Sequence, residues 1–339
     1  MAMDTVGVAL IGSGRMGAFH AETLALRLPQ ARLVAVADPA RGAAERLTAA
    51  LGAGRPYTDV AQIWEDPEVD AVVIATPARS HADLVVAATG AGKHVFCEKP
   101  MAVTLPEADR AIDAARAAGV TLQVGFNRRF AADWQAARAL IDTGTLGTPR
   151  QLRSLTRDPG GFDPARVLPD TIFLETLIHD FDTLRFLNPG AEAVDVYATA
   201  DALVEPTWRD RGLLDISVVL VRFDNGAMAV AEASFEAAYG YDVRGEVLGS
   251  SGMVAMGDGR RSGMTFSGSA GRLVETVRSD QELFPDSYVG ELSAFVDAVR
   301  AGTPATVSGE DARAALAIAL AAVESVRSRR SVRIDEVEK

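Results

Sequence analysis

Among 339 residues there is one cysteine, Cys97. No disulfide framework can form within the chain, and a lone thiol suits a reducing compartment. Long apolar runs are missing as well. The longest apolar helical stretch, Ala314 to Val323, is too short to span a bilayer, so no membrane span is expected. The amino terminus carries Asp4 and no basic segment, and its apolar run reads as a strand, which speaks against a signal peptide. Positive charge is scarce, with 34 Lys plus Arg against 46 Asp plus Glu and a formal net charge of −12. Binding a nucleic-acid backbone needs clustered positive charge, and no basic face stands out, so nucleic acid is not an expected partner. Repeats and low-complexity linkers are also absent. What is left is a globular composition, 48% hydrophobic and 24% charged, in a chain long enough for two domains. A soluble cytoplasmic protein is the expectation.

The first clear signal is Val6-Gly7-Val8-Ala9-Leu10-Ile11-Gly12-Ser13-Gly14-Arg15-Met16-Gly17. An apolar run of strand length opens into G-x-G-x-x-G, and a helix follows from Ala18 to Leu28, stopping at Pro29. Gly12 permits the tight turn, Gly14 lets backbone approach a pyrophosphate, and Gly17 allows the helix to pack close to the strand. The positive end of that helix then faces the anion. A second apolar run, Arg32 to Ala37, ends in Asp38, at the spacing of the carboxylate that grips the adenosine ribose. Asp38 would repel a 2'-phosphate, which favours NAD over NADP, although Arg41 three residues on could reach such a phosphate. The plainer alternative for Asp38 is that it caps the next helix.

Strands and helices alternate through the first third, as a parallel sheet requires. Helices are expected over Gly42 to Leu51, Ser80 to Ala91 and Leu105 to Ala118. Strands are expected at Ala71 to Ala75, His94 to Cys97 and Thr121 to Gly125. In open α/β sheets the ligand lies beyond the carboxyl ends of the strands, which is where Thr76, Glu98, Lys99 and Asn127 fall. From about Gly125 the pattern changes to α+β. A helix is expected over Ala131 to Asp142, a strand over Arg150 to Arg157 and a long helical stretch over Thr171 to Leu187. Four strands follow between Ala193 and Leu248, with a short one at Met253 to Met256. Asp224-Asn225-Gly226 is a hairpin turn between two of them, so this sheet reads as largely antiparallel. Helices over Asp286 to Arg300 and Glu310 to Arg327 and a strand at Val332 to Ile334 complete the chain. The division expected is a dinucleotide-binding domain over 1–125 and an α+β domain over 126–339.

Two clusters could carry chemistry. Lys99, at a strand end, could stabilise developing charge on a substrate oxygen, though an isolated lysine is usually a solvated surface group. In Glu175-Thr176-Leu177-Ile178-His179-Asp180-Phe181-Asp182, a helix would put Glu175, His179 and Asp182 on one face. His179 suits a general base removing a hydroxyl proton. The same spacing is compatible with a metal site, but no second His or Cys set supports one, and a hydrogen-bonded structural histidine is the bland reading. Taken singly, Arg129 could be a salt bridge, Asp158 a turn residue before Pro159 and Tyr241 a strand residue. His81 reads equally as structural.

Taken together, the motifs resemble the glucose-fructose oxidoreductase, inositol dehydrogenase and MocA family over nearly the whole chain. They are Gly12 to Gly17, Thr76-Pro77 with His81, Cys97-Glu98-Lys99-Pro100, Gly125 to Phe130, Ile178 to Asp182, and Tyr239-Gly240-Tyr241-Asp242. The segments Arg128-Arg129-Phe130 and Thr156-Arg157-Asp158-Pro159 are most similar to those of inositol 2-dehydrogenases. The resemblance implies an N-terminal Rossmann domain followed by an α+β domain whose antiparallel sheet forms a homodimer or homotetramer surface. It implies NAD bound by Gly12, Gly14, Arg15, Met16, Gly17, Asp38, Thr76, Pro77, His81, Glu98 and Lys99, and a polyol bound by Asn127, Arg129, Asp158 and Tyr241. Lys99 and His179 match the catalytic pair. The family's catalytic aspartate is replaced here by Glu175, one methylene longer. The activity implied is NAD-dependent oxidation of a secondary hydroxyl of a cyclic polyol or sugar. An NAD-dependent glycosidase and a non-catalytic sugar-responsive regulator are the alternatives, and the presence of both Lys99 and His179 argues against the regulator.

Overall fold

The computed structural model describes residues 5–161, 163, 165 and 167–338, so Asp4 lies outside it. In chain order the elements begin with β1 (Val6–Ile11), α1 (Arg15–Leu26), β2 (Ala31–Ala37), α2 (Ala43–Leu51), β3 (Arg55–Tyr57), α3 (Ala61–Glu65) and β4 (Ala71–Ile74). Next come α4 (His81–Gly90), β5 (His94–Glu98), α5 (Leu105–Ala118), β6 (Leu122–Gly125), α6 (Ala132–Asp142), β7 (Pro149–Arg157), α7 (Ile178–Phe186), β8 (Ala193–Asp201) and β9 (Ile216–Phe223). The rest are β10 (Met228–Ser234), β11 (Asp242–Gly249), β12 (Met253–Met256), β13 (Arg260–Gly268), β14 (Gly271–Thr276), α8 (Asp280–Leu283), α9 (Pro285–Ala301), α10 (Gly309–Ser328), β15 (Val332–Arg333) and α11 (Ile334–Val337).

Two compact units emerge. The first takes the chain up to Asn127 together with Tyr288–Arg313, and the second takes Arg128–Ser287 with the chain from Ala314 onward. The expected split placed everything after residue 125 in one domain. Instead, residues 288–313 return to the first unit. The reason is apolar: Leu292, Phe295, Val296 and Val299 of α9 pack into the same core as Val6, Val8, Leu10, Leu24 and Phe96.

The first unit is built on a six-stranded parallel sheet of order β3-β2-β1-β4-β5-β6, the doubly wound order with a switch point between β1 and β4. Strands buried on both faces read as continuous apolar runs, and all six residues of β1 are buried. Local signals set the helices. Thr104 and Glu107 form a reciprocal capping box at the start of α5, which ends at Gly119 with φ +65°. The sequence reading missed β3 and α3, because a three-residue edge strand leaves too short a pattern.

The second unit carries a seven-stranded sheet of order β12-β11-β7-β10-β9-β8-β15. Its pairs are antiparallel except β7 with β10, which run parallel. Along β9 buried and exposed residues alternate, as expected for a sheet covered on one face. Gly226, with φ +86°, turns β9 into β10 at the hairpin the sequence announced. Two features of this unit go beyond the sequence pattern. The stretch from Thr171 to Leu187 is not one α-helix: Ile172–Thr176 is a π-helical turn, a form often found at functional sites, and α7 starts only at Ile178. The β13–β14 hairpin was not anticipated, since its exposed residues carry no period-2 burial pattern.

Phe295 is fully buried, its ring 5.9 Å from that of Phe96. Phe295→Ala should cost about 3–5 kcal/mol in chemical denaturation, the usual range for a buried phenylalanine. A loss below about 1 kcal/mol, the typical surface-to-average range, would show that α9 does not belong to this core.

Candidate active site

A cavity of about 830 Å³ opens beyond the carboxyl ends of β1, β2, β4 and β5 in the first unit. Its wall includes Gly12, Gly14, Arg15, Met16, Asp38, Thr76, Pro77, Glu98 and Lys99 from the expected residues. Thr58, Asp59 and Val60, which follow β3, line it too and were missed with that strand. Each glycine of the turn answers to a different constraint. Gly12 adopts φ +92°, and a Cβ there would meet the Ala75 carbonyl oxygen at 2.7 Å. A Cβ on Gly17 would stand 1.9 Å from the Gly12 oxygen, so Gly17 serves the packing of α1 on β1 and does not line the cavity. A Cβ on Gly14 would touch nothing within 4 Å, so the space that it leaves belongs to the cavity. With no side-chain cap on α1, its positive end favours an anion in that space.

Asp38 sits half-buried on the same wall. Its Oδ2 accepts from the Ser13 N–H and hydroxyl, both at 2.7 Å, and its Oδ1 accepts from the Ala40 N–H at 2.8 Å. It therefore does not cap α2, whose N-cap is Gly42 and which has no side-chain cap. Burial pushes the Asp38 carboxyl up, but the Ser13 and Ala40 bonds and the Arg46 charge outweigh it and hold the group below its ordinary value. An ionised acceptor anchored to the glycine turn is what an adenosine ribose requires.

At the end of β5, Glu98 Oε1 and His20 Nε2 are 2.6 Å apart, and Glu98 Oε2 accepts from the Lys99 N–H at 3.2 Å. Burial pushes the Glu98 carboxyl up, and the His20 bond and the charges around it bring it below the ordinary carboxylate value. His81 does not line the cavity. Fully buried at the start of α4, it places Nδ1 2.8 Å from the Pro100 oxygen and Nε2 2.8 Å from the Thr76 oxygen, tying together two loops that do line it. A neutral ring donates to one of these carbonyls, and a cationic ring to both. Burial also pushes the Cys97 thiol well above its usual range, which leaves it inert. Asn127 is buried at the edge of this unit, in the short helical turn Asn127–Phe130.

In the second unit the motif segments form a buried ionic layer. Arg128 Nη1 donates to Asp180 Oδ1 at 2.8 Å and Nη2 to the Thr156 hydroxyl at 2.6 Å. Ser154 and Thr156 donate to Asp180 at 2.5 and 2.7 Å. Arg129 makes a forked pair with Asp182, with Nε to Oδ2 at 2.9 Å and Nη2 to Oδ1 at 2.6 Å, while its guanidinium lies 5.4 Å from the Phe186 ring centre. Of the two readings of Arg129, the salt bridge is therefore present. Asp182 does not share a face with Glu175: it is buried and paired, whereas Glu175 is exposed on the π-helical turn and His179 is half-buried on α7. Asp158 follows β7, its N–H and carbonyl clipped to Ser234 and Ala237. Burial and the Asp158 charge push the Tyr241 hydroxyl up, so it is a neutral hydrogen-bonding group at any physiological pH.

The comparisons agree with this geometry. Residues 6–126 match the model of an oxidoreductase family with an NAD-binding Rossmann fold, and residues 134–255 match the GFO/IDH/MocA C-terminal domain. The chain is 38% identical to myo-inositol 2-dehydrogenase of Thermotoga maritima, over 97% of this chain and 99% of the relative. It is 36% identical to scyllo-inositol 2-dehydrogenase (NAD(+)) of Bacillus subtilis, over 97% and 96%. The crystal structure of scyllo-inositol dehydrogenase from Lactobacillus casei with bound NAD(H) and scyllo-inositol superposes with a TM-score of 0.94 at 26% identity, covering 98% of this chain and 99% of that one.

Asp180 is fully buried and Arg128 nearly so. Asp180→Ala would strand the guanidinium, and we expect a loss of about 3–5 kcal/mol in chemical denaturation, the usual cost of removing one partner from a buried pair. A loss of under about 1 kcal/mol, within reach of an exposed pair, would mean that the layer is hydrated.

Proposed function

The chain belongs to the GFO/IDH/MocA oxidoreductase family, and from that premise we propose that it oxidises a secondary hydroxyl of an inositol-like cyclic polyol to a ketone, with NAD as hydride acceptor. The observation that carries the reading is the joining of an anchored ribose acceptor, Asp38, and a strand-end lysine, Lys99, on one cavity wall. Bound NAD supplies the hydride chemistry. The open side of Gly14 and the start of α1 take the pyrophosphate, and Asp38 takes the ribose hydroxyls. Lys99 polarises the reacting oxygen through its ammonium, and His179 removes the hydroxyl proton. Glu175, in place of the family aspartate, orients or assists His179. Arg129, Asp158, Tyr241 and Asn127 are the proposed polyol contacts. Arg129 acts there as a cation held in place by Asp182, since its fork is already engaged. Tyr241 offers a neutral hydroxyl.

The outer face of the second unit's sheet exposes Tyr197, Leu220, Leu248 and Met253. Exposed apolar residues on a sheet face support a homodimer or homotetramer there. Among the described residues no helix is long and apolar enough to cross a membrane, and a cytoplasmic location fits the single buried cysteine.

The direct test is to follow NADH absorbance with myo- and scyllo-inositol, hexoses and sugar acids. Net NADH formation with a cyclic polyol is expected. Cleavage of a glycoside without net NADH, or binding without turnover, would replace this reading with the glycosidase or the regulator. His179→Ala should lower kcat by about 10²- to 10⁴-fold, the usual contribution of general acid–base catalysis, and leave NAD affinity nearly intact. Equal losses in both would make His179 structural. Asp38→Ala should raise the KM for NAD and improve the relative use of NADP, because the ribose acceptor and the charge opposing a 2'-phosphate both vanish. An unchanged preference would end the assignment of Asp38.

A further inference from the structure

From Glu98 on the cavity wall, a group of buried titratable residues to which the proposed reaction assigns no proton or hydride step extends inward. His20 of α1, Glu98 of β5 and Glu291 of α9 are all buried, and each offers a polar atom within 4.8 Å of the others. Glu291 is fully buried and neither of its carboxyl oxygens has a hydrogen-bond partner. Glu98, by contrast, is met at both oxygens, by His20 and by the Lys99 N–H.

Two ionised carboxylates at this range in an apolar core would repel one another and forfeit their solvation. The charge therefore settles on the carboxylate that has donors. The other ionisable groups around Glu98 are Lys99, His81 and the Cys97 thiol. The first two supply or can supply positive charge, and none of the three faces Glu291 as a donor. On the Glu291 side, β6 contributes only Gln123, whose amide donates at 2.7 Å to the Glu291 backbone oxygen and not to its side chain.

We propose that His20, Glu98 and Glu291 form one proton-sharing cluster in which Glu291 holds the proton and Glu98 the negative charge, and that the charged carboxylate positions the Lys99 backbone. The second half rests on the reading of Lys99 as the group that polarises the substrate oxygen. The first half does not. Burial, followed by the Glu98 charge, pushes the Glu291 carboxyl well above its ordinary range, in agreement with the geometry. The same three residues have the composition of a metal site. However, His20 Nε2 and Glu98 Oε1 hydrogen-bond to one another at 2.6 Å, so the pair is directed at itself and not at a common centre. Glu98 is a positioning residue that acts through Lys99, not a catalytic one, and Glu291 holds the proton that leaves Glu98 charged.

The sign of the pH dependence follows from linkage. A carboxyl whose folded value is raised binds its proton more tightly in the folded state, so its contribution to stability is full at low pH and is lost as pH rises through that value. Glu291→Gln, which mimics the protonated acid, should remove this loss. The Tm of the variant should gain on that of the unaltered protein steadily as pH rises above the ordinary carboxylate range. A difference that does not change with pH, or a Gln variant as unstable as Glu291→Ala, would overturn the proposal. Infrared spectroscopy of the unaltered protein at neutral pH should show a protonated carboxyl band that is missing in Glu291→Gln, and its absence would overturn the proposal as well. So would a stoichiometric metal ion lost in that variant. Glu98→Gln should lower kcat about a hundredfold, the cost of displacing a reacting group by about an ångström, with little change in the polyol KM, while Glu291→Gln keeps kcat. An unchanged kcat in Glu98→Gln would overturn the positioning half. If the unaltered protein oxidises no polyol at all, the functional reading fails, and the infrared and Tm results still decide the cluster.

Discussion

The approach of α1 to β1 is the constraint on which the first unit depends. With only 1.9 Å between a hypothetical Gly17 Cβ and the Gly12 oxygen, no other residue type fits without moving backbone. That closeness sets the positive end of α1 against the strand ends, where the sheet order reverses between β1 and β4. Gly14 then faces open space, and Ser13 between the glycines reaches across to Asp38 on β2's far end. One turn thus holds the open side of Gly14 and the Asp38 carboxylate in a single hydrogen-bonded piece. Its rigidity comes from packing, and the positive potential on its open side comes from the helix.

Charge inside the molecule is handled by two different devices. In the second unit, buried arginines are matched with buried aspartates, Arg128 with Asp180 and Arg129 with Asp182, and the hydroxyls of Ser154 and Thr156 add two further bonds to Asp180. Such layers contribute little net stability over apolar packing, but they penalise any arrangement that separates the partners. Among the described residues of the first unit no arginine bonds to the side chain of Glu98 or Glu291, and the conflict is relieved by a proton. The difference matters for function. An arginine layer is inert to pH, whereas a carboxyl pair beneath Lys99 ties the geometry of the cavity wall to protonation.

The return of α9 to the first unit gives that carboxyl pair its second member. Residues 288–313 lie more than 150 positions after the strands they cover, yet Phe295 meets Phe96 and Gln123 holds the Glu291 backbone. A domain boundary drawn where the strand pattern changes cannot register this, since the amphipathic signal of α9 fits any apolar surface equally well.

Local chemistry was legible from the chain alone. The glycine turn, the strand ends at Thr76, Glu98 and Lys99, the hairpin at Asn225-Gly226 and the helix closed by Gly119 all depend on residues within a few positions of one another, and composition together with period reports such features. The family motifs added Lys99, His179 and the polyol contacts as expectations. Only the tertiary structure decided which partners these side chains have. It gave Arg129 to Asp182, His81 to two carbonyls and Asp38 to Ser13, and it broke the stretch before His179 into a π-helical turn. It also brought Glu291 to Glu98 across nearly two hundred residues. Sequence spacing specifies which residues share a face, but burial and the matching of charge are properties of surfaces that meet only when the chain is folded.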